Sequence, residues 1–405
     1  MRERMSAMEK RELVIIGAGP AGLTAAIYGR RAGLDVLIIE NALAGGQINS
    51  TDEIENWPGT ITMSGMELGA NFRRHAEHFK AEFRECTVQS VEVRGGAKVV
   101  VTDKGEIEAE AVIIASGASF RKLGCPGEDE FTGMGVSRCA VCDAAFFTDL
   151  DVAVVGGGNV AIEEACYITR FAKKVYIIHR RGEWRAERTA VEQALANPKI
   201  VPVWNSVVES INGDGFVDKL VIRNVKTNEV TDLPVAGCFV FVGTVPNVLF
   251  LGAESSLVKQ SRGGWILTND RMETSVEGIF AAGDVRDKFL RQVVTAAGDG
   301  AVAAMAANAY ITEQLRLRTV LIEPDEVTAL FSSTIDAAQI KLQSEAERYA
   351  DESGAKITFI DGYRNSRMVE KLGIKELPAL VKLKKGTAVK SMSPKTLDDI
   401  KNFLA

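Results

Sequence analysis

The sequence predicts an α/β fold in which two nucleotide-binding sheets are nested, one inserted in the other, with a smaller α/β tail behind them. Three observations predict it. Two glycine-rich turns, GAGPAG at residues 17–22 and GGGNVA at residues 156–161, each follow a short apolar run and open a helical pattern. A third apolar run, GIFAAGDV at residues 278–285, precedes a helical stretch over residues 295–308, as expected of a chain returning to a sheet it had left. Between the two turns lies CAVCD at residues 139–143, a close cysteine pair with an acid beside it.

Composition sets the limits. A chain of 405 residues with 46% hydrophobic and 25% charged content is an ordinary globular protein of two or three domains. The net charge of -6 provides no basic footprint, which argues against a nucleic-acid partner. The charged start MRERMSAMEKRE lacks the apolar core of a signal peptide, and apolar runs such as residues 112–115 and 152–155 are too short to span a bilayer. A cytoplasmic protein with no membrane contact is expected. In a reducing compartment a close cysteine pair is redox-active or metal-binding rather than a structural staple. Cys86, Cys125, Cys166 and Cys238 are scattered singly and the histidines are only His75, His78 and His179, so no metal site is expected.

In the first unit, LVIIG, GAGPAG, LTAAIYGRRAGL and DVLIIE read as strand, tight turn, helix and strand. Gly17 permits the turn, Gly19 lets backbone approach a pyrophosphate, and Gly22 lets the helix pack on the strand. The helix start faces the phosphates with unpaired N–H groups. Glu40, 21 residues past Gly19, closes the second strand where a carboxylate accepts from ribose hydroxyls. The second unit copies this order in DVAVVGGGNVAIEEACYITRFAKKVYIIHRR, with Gly156 and Gly158 in the turn and Ala161 in place of the third glycine. Here His179, again 21 residues past the middle glycine, replaces the acid. His179, Arg180 and Arg181, with Arg185 one helical turn on, offer cationic donors for a 2′-phosphate, which predicts NADPH rather than NADH.

A flavin, a dithiol and a nicotinamide cofactor on one chain describe a disulfide reductase, because hydride electrons reach a disulfide only through a carrier that accepts hydride and passes electrons to sulfur. A CxxC leading into a helix is expected to have one thiol well below the ordinary value of about 8.5, the thiolate being favoured at the positive helix end.

Over residues 12–319 the sequence resembles the low-molecular-weight thioredoxin reductases. The resemblance is carried by GAGPAG, GGQI at 45–48, ENWPG at 55–59, ASGA at 115–118, CAVCD, GGGNVAIEEA, HRR with Arg185, GTVPN at 243–247, and GDV with RQVVTAAG at 291–298. It implies a homodimer that reduces thioredoxin, with two Rossmann-like three-layer domains. The FAD domain would comprise residues 1–122 and 247–318, and the inserted NADPH domain residues 123–246. FAD would be held by Gly17, Gly19, Pro20, Ala21, Gly22, Glu40, Gly46, Gln47, Asn56, Gly283, Asp284, Arg291, Gln292 and Val293. NADPH would be held by Gly156, Gly158, Asn159, Val160, His179, Arg180, Arg181 and Arg185. The resemblance also puts Cys142 beside the flavin, makes Cys139 the nucleophile toward thioredoxin and makes Asp143 the acid. Two departures stand out. Ala144 replaces the glycine common after the aspartate, and Arg138, where an aromatic is frequent, would add positive charge beside Cys139. The implied rotation of the inserted domain places hinge strands near residues 118–124 and 243–247.

The tail, residues 319–405, resembles a thioredoxin domain in its strand and helix order, with Pro378 at the position of that family's cis-proline. Asp336, Ala337, Ala338 and Gln339 stand where CxxC would be, and no cysteine follows Cys238. The tail is expected to be catalytically silent, with a docking, dimer-stabilising or regulatory role. A second enzyme reading delivers electrons to a peroxiredoxin or glutaredoxin-like partner, or takes them from ferredoxin. HRR argues against ferredoxin as donor. A scaffold reading, in which the tail recruits a partner, is opposed in the core by the intact CAVCD.

Overall fold

The computed structural model describes residues 8–51, 54–252 and 257–405. The first seven residues, part of the segment read above as lacking a signal peptide, lie outside that range. The chain divides into two compact units, Met1–Ala307 and Asn308–Ala405.

The first unit begins with β1 (Glu9–Ile16), α1 (Pro20–Arg31), β2 (Val36–Glu40), α2 (Gly65–His78), β3 (Glu82–Glu85), β4 (Val88–Arg94), β5 (Ala97–Thr102) and β6 (Gly105–Ile114). Leu13, Val14 and Ile15 of β1 are wholly buried, as a parallel strand covered on both faces requires. β1 lies between β2 and β6, parallel to both. The outer edge of β6 is shared. Its first half pairs antiparallel with β5, and Val112, Ile113 and Ile114 are left for a strand that arrives much later. Gly17 ends β1 at φ +105°, and a β-carbon on Gly22 would stand 1.9 Å from the Gly17 carbonyl oxygen, so α1 packs on the turn at a distance only glycine allows.

After β7 (Ala118–Phe120) come β8 (Val136–Ser137), α3 (Ala140–Asp143), β9 (Asp151–Gly156), α4 (Asn159–Ile168), β10 (Lys174–His179), α5 (Arg188–Ala196) and β11 (Ile200–Trp204). An antiparallel sheet of β12 (Ser206–Asp214), β13 (Phe216–Asn224) and β14 (Val230–Pro234) follows, and then β15 (Gly237–Phe241). β11, β10, β9, β15 and β8 form a parallel sheet in that order. β16 (Thr244–Pro246) then pairs antiparallel with β7, Thr244 opposite Phe120 and Pro246 opposite Ala118. The segments that enter and leave the second sheet therefore run side by side. β17 (Ile279–Ala281) returns to Val112–Ile114 of β6, which makes the second sheet an insertion in the first.

α6 (Val293–Arg316) extends well beyond the stretch 295–308 read from the sequence, and the division between units falls within it rather than at residue 319. Leu317 and Leu321, just past α6, are buried in the core of the second unit, which explains the earlier boundary. That unit contains β18 (Glu326–Ser332), α7 (Ala337–Ser353), β19 (Thr358–Asp361), α8 (Ser366–Lys371), β20 (Ala379–Lys384), β21 (Thr387–Met392) and α9 (Leu397–Leu404). The sheet order is β19-β18-β20-β21, with β18 parallel to β19 and antiparallel to β20. Alternation along the central strands feeds two cores. Phe331 and Val381 meet Ile360 and Met368 on one face, and Leu330 and Leu380 meet Leu342 and Ile400 on the other. The Leu377–Pro378 peptide is cis.

A β-carbon on Gly300 of α6 would stand 2.1 Å from the Ala21 carbonyl oxygen of α1. Gly300→Ala is therefore expected to lower the stability of the first unit by about 1–3 kcal/mol through forced separation of two packed helices. Chemical denaturation followed by tryptophan fluorescence checks this, and an unchanged midpoint would show that the contact yields freely.

Candidate active site

A cavity of about 790 Å³ opens where the first sheet, the start of α1 and the loop after β17 converge. Gly17, Gly19, Pro20 and Ala21 line one wall, and Gly19 at the helix start has open space where a β-carbon would project. Gly46, at φ +64°, faces it, and a β-carbon there would lie 3.1 Å from the Gly19 Cα. Two glycine turns thus leave backbone exposed to whatever fills the cleft. Glu40 lines the cavity too, but its carboxylate already accepts from the backbone N–H groups of Ala18 at 2.8 Å, Asn41 at 2.9 Å and Ala42 at 3.1 Å. With about four lone-pair positions on a carboxylate, one remains for a ribose hydroxyl. Gln47, Gly283 and Val293 complete the predicted lining.

Asp284 stands out in this cavity. Its Oδ1 is buried with no hydrogen-bond partner, and burial pushes its carboxyl up from the usual range. An orphaned buried acceptor is costly, so the site is built for a ligand that donates to it. The glycine cradle, Glu40 and the unpaired Asp284 oxygen together fit a dinucleotide with a polyol, which FAD is.

Four predicted residues stand outside the lining. Gly22 lies beneath the turn. Arg291 donates to the carbonyls of Asp284 at 3.3 Å and Arg286 at 3.1 Å, with its guanidinium 3.8 Å from the centroid of Trp265, so it shapes the Asp284 loop. Asn56 donates from Nδ2 to the Gln292 Oε1 at 3.1 Å, and the Gln292 Nε2 lies 3.9 Å from the Cys139 Sγ. Asn56 and Gln292 therefore belong to the surroundings of the dithiol. Sequence reasoning missed Cys86, assigned to plain packing, and the pair Ser116 and Asn247, all of which line the cavity. Ser116 Oγ donates to the Asn247 carbonyl at 2.7 Å and Asn247 Nδ2 to the Ser116 carbonyl at 2.9 Å.

Cys139 and Cys142 are joined as a disulfide. Cys139 caps α3, its sulfur accepting the Cys142 N–H at 3.2 Å. α3 is four residues long and runs directly into a 3-10 turn over Ala144–Phe147, so the cysteine pair stands at the start of a short helical run. Arg138 needs correction. Its guanidinium is committed to the buried Glu128 carboxylate at 2.8 Å and so does not stand as free positive charge beside Cys139. The buried Ser137, which the sequence reading passed over, donates from Oγ to the Asp143 carboxylate and accepts the Cys139 N–H at 3.1 Å. A hydroxyl two residues before the first cysteine was the available signal.

At the second turn a β-carbon on Gly156 would meet that of Ala161 at 2.5 Å, while Gly158 opens onto free space. Asn159 Oδ1 accepts the Glu187 N–H at 2.9 Å, and Val160 is exposed. His179 is only 6% exposed. Its ring lies under Gly157, where a β-carbon would stand 2.3 Å from Nδ1, and its Nε2 has no partner. Burial first, then Arg185, Arg181 and Arg180, push its pKa below the usual imidazole value, so His179 is a neutral support and not the cationic donor expected. Arg180, Arg181 and Arg185 are exposed and have no ion-pair partner among the described residues. Arg185 sits on a loop rather than one helical turn on, and its N–H donates to the Gly157 carbonyl at 2.7 Å, which draws it back to the glycine turn.

A family model described as pyridine nucleotide-disulphide oxidoreductase matches residues 11–300. A thioredoxin reductase of Peptoclostridium acidaminophilum is 46% identical over 307 residues, which is 74% of this chain and 96% of that protein. That of Bacillus subtilis strain 168 is 44% identical over 311 residues, 76% of this chain and 98% of the relative. The crystal structure of thioredoxin reductase from Streptococcus pyogenes MGAS5005 superposes with a TM-score of 0.72 at 46% identity, covering 76% of this chain and 99% of that one. The chain belongs to the thioredoxin reductase family of pyridine nucleotide-disulphide oxidoreductases. As a member it is a flavin disulfide reductase whose cofactors are FAD and NADPH. These matches leave about a quarter of the chain uncovered. Among the described residues no helix is long and apolar enough to cross a membrane, and no group of three or more His, Cys, Asp or Glu could hold a metal ion.

The Ser137 hydroxyl holds both the Asp143 carboxylate and the Cys139 backbone. Ser137→Ala is expected to slow disulfide turnover roughly tenfold by releasing the acid from its position, while FAD content stays unchanged. Steady-state kinetics with flavin quantification checks this, and wild-type turnover would remove Ser137 from the site.

Proposed function

We propose that the chain is an NADPH-dependent thioredoxin reductase in which Cys139 and Cys142 carry electrons to a partner disulfide. The observation that carries this reading is the contact of the Cys139 sulfur with Gln292, which brings a disulfide of the inserted sheet against the segment that follows β17. FAD supplies a carrier that takes hydride electrons and passes them to sulfur. Gly17, Gly19, Gly46 and Glu40 would bind it, and Asp284 would accept from its polyol. Gly158 and the three guanidinium groups of Arg180, Arg181 and Arg185 would bind NADPH, His179 supporting the turn as a neutral ring. In this reading Cys142 faces the flavin, and two electrons with two protons open the Cys139–Cys142 disulfide to a dithiol. Asp143, held by Ser137, delivers the proton to the departing thiolate. The Cys139 thiolate then attacks the disulfide of thioredoxin, expelling one partner thiolate. Cys142 attacks the mixed disulfide, restoring the Cys139–Cys142 bond and freeing the second partner thiol.

The division read from the sequence, FAD domain 1–122 and 247–318 around NADPH domain 123–246, is supported by the pairing of β7 with β16 and the return of β17. A homodimer is supported by α6. Its exposed stripe within the first unit is Val294, Gly298, Val302 and Met305, with no polar residue among them. Such a face on a long helix is expected to be covered, and a second copy is the occupant the reading names. A cytoplasmic location is supported by four free cysteines in a protein with a working redox pair.

For residues 319–405 we propose a thioredoxin-like domain without thiol chemistry. The strand order and the βαβ start followed by an antiparallel pair support the fold. Asp336 caps α7 by accepting the Gln339 N–H at 3.0 Å. Gln339 in turn accepts the Ser333 N–H at 2.8 Å and donates to the Leu377 carbonyl at 3.1 Å, so a bridging amide fills the place of a dithiol. A docking, dimer-stabilising or regulatory role is the reading for this domain.

Anaerobic NADPH titration of the flavin followed by turnover with thioredoxin tests the function. Charge-assisted bonds to one phosphate are worth roughly 1.5–3 kcal/mol each, so Arg180→Ala with Arg181→Ala should reduce the NADPH preference on the order of a hundredfold or more. An unchanged ratio of NADPH to NADH efficiency would refute the assignment. A chain ending at Thr319 is expected to keep FAD and to accept hydride from NADPH, with any change confined to the thioredoxin step or to dimer stability. Loss of flavin binding would show that the tail is integral to the reductase.

A further inference from the structure

The charge beside the dithiol is tied to the linker. Glu128 is 2% exposed, and its two carboxylate oxygens serve two different segments. Oε1 accepts from the Arg138 Nη2 at 2.8 Å, immediately before Cys139 in the chain. Oε2 accepts from the Gly124 N–H at 2.8 Å, in the segment that leads away from β7. Thr132 closes the arrangement. Its hydroxyl donates to the Glu128 carbonyl at 2.8 Å and accepts from the Arg138 Nη1 at 3.4 Å. The guanidinium also lies 5.9 Å from the ring centroid of Phe120, which belongs to β7 itself.

This segment is fixed to the antiparallel sheet at both ends. Ile211 N–H donates to the Pro126 carbonyl and Val217 N–H to the Met134 carbonyl, each at 3.0 Å. A β-carbon on Gly127 would stand 2.0 Å from the Ile211 carbonyl oxygen. Glu128 therefore projects from a rigid base, with the linker on one oxygen and the dithiol loop on the other. A buried ion pair adds little net stability over a well-packed apolar replacement, but it fixes geometry, since a planar guanidinium meets a carboxylate in few orientations.

We propose that the Glu128–Arg138 pair is the positioning element that ties the dithiol loop to the linker, so that Cys139 and the Gly124 end of the linker move as one body. This rests on the reading above that the dithiol exchanges electrons with the flavin, which requires the sulfurs to be placed to within a fraction of an ångström. Neither residue touches the reacting atoms. Both act through the backbone of Cys139.

The test uses the holoenzyme with Glu128→Gln and Arg138→Met combined, which removes both charges and keeps side-chain volume. The expected protein melts near the wild-type temperature, retains FAD and is reduced by NADPH at the wild-type rate. Passage of electrons from the flavin to the disulfide, followed by anaerobic stopped-flow, slows roughly tenfold to a hundredfold. After reduction, Cys139 is alkylated by iodoacetamide severalfold faster, read by peptide mass. Wild-type values for both electron passage and alkylation in a folded double variant would overturn the proposal. Should that variant not fold, Arg138→Lys decides, because it keeps the charge on Glu128 and loses the fork to Thr132. Slower passage with an unchanged melting point supports positioning, and unchanged passage overturns it. If the wild-type flavin passed no electrons to the disulfide, the functional reading would fail by itself, and the alkylation rates would still decide whether the pair holds the loop.

Discussion

The antiparallel pairing of β7 with β16, reinforced by the reciprocal hydrogen bonds of Ser116 and Asn247, is the closure on which the first unit depends. A sheet inserted in another sheet has two crossing segments, and unless these run together the inserted part has no fixed axis. Here they run together for three residues on each side. Arg121 N–H donates to the Gly243 carbonyl at 2.9 Å just beyond the pair, and Gly117, Gly124 and Gly243 flank it at positive φ. That combination is a short stiff ribbon between permissive ends, which suits a hinge. Because the same ribbon borders the large cavity, any ligand there senses the position of the inserted sheet.

The chemistry of the site follows from what this closure brings together. Among the described residues Asp284 Oδ1 is a buried side-chain oxygen without a partner in the cavity, and one disulfide is presented against Gln292. Around the disulfide, Gln292 approaches from a distant segment, and the other hydrogen bonds come from residues that precede and follow the pair. Ser137 orders the acid, the Cys142 N–H meets the Cys139 sulfur, and Glu128 takes the Arg138 charge. The donor to the Cys139 sulfur comes from the start of α3.

Much of this was legible in the sequence for a simple reason. Glycine spacing and apolar runs report local geometry, so the two turns, their helices and Glu40 are readable without a fold. The return of β17 to β6 was inferable only because GIFAAGDV has the pattern of a buried strand. What escaped were interactions set by tertiary packing. Arg138 looked like free charge because Glu128, ten residues earlier, reads as one more acid in a loop. Arg291, Asn56 and Gln292 carry polar side chains in motifs, yet which surface they face depends on how the loops fold. His179 is the reverse case. Spacing places it at the end of a strand, but its burial under Gly157, which holds its pKa down, is something no spacing reveals. The extent of α6 was underread because its apolar pattern passes from one compact unit into the next.

The measurement that bears most directly on the electron path is the response of Cys142→Ser to NADPH. With the thiol proposed to face the flavin removed, the bound flavin is predicted to be still bleached by NADPH under anaerobic conditions while thioredoxin reduction is abolished. Full thioredoxin turnover by Cys142→Ser would contradict it.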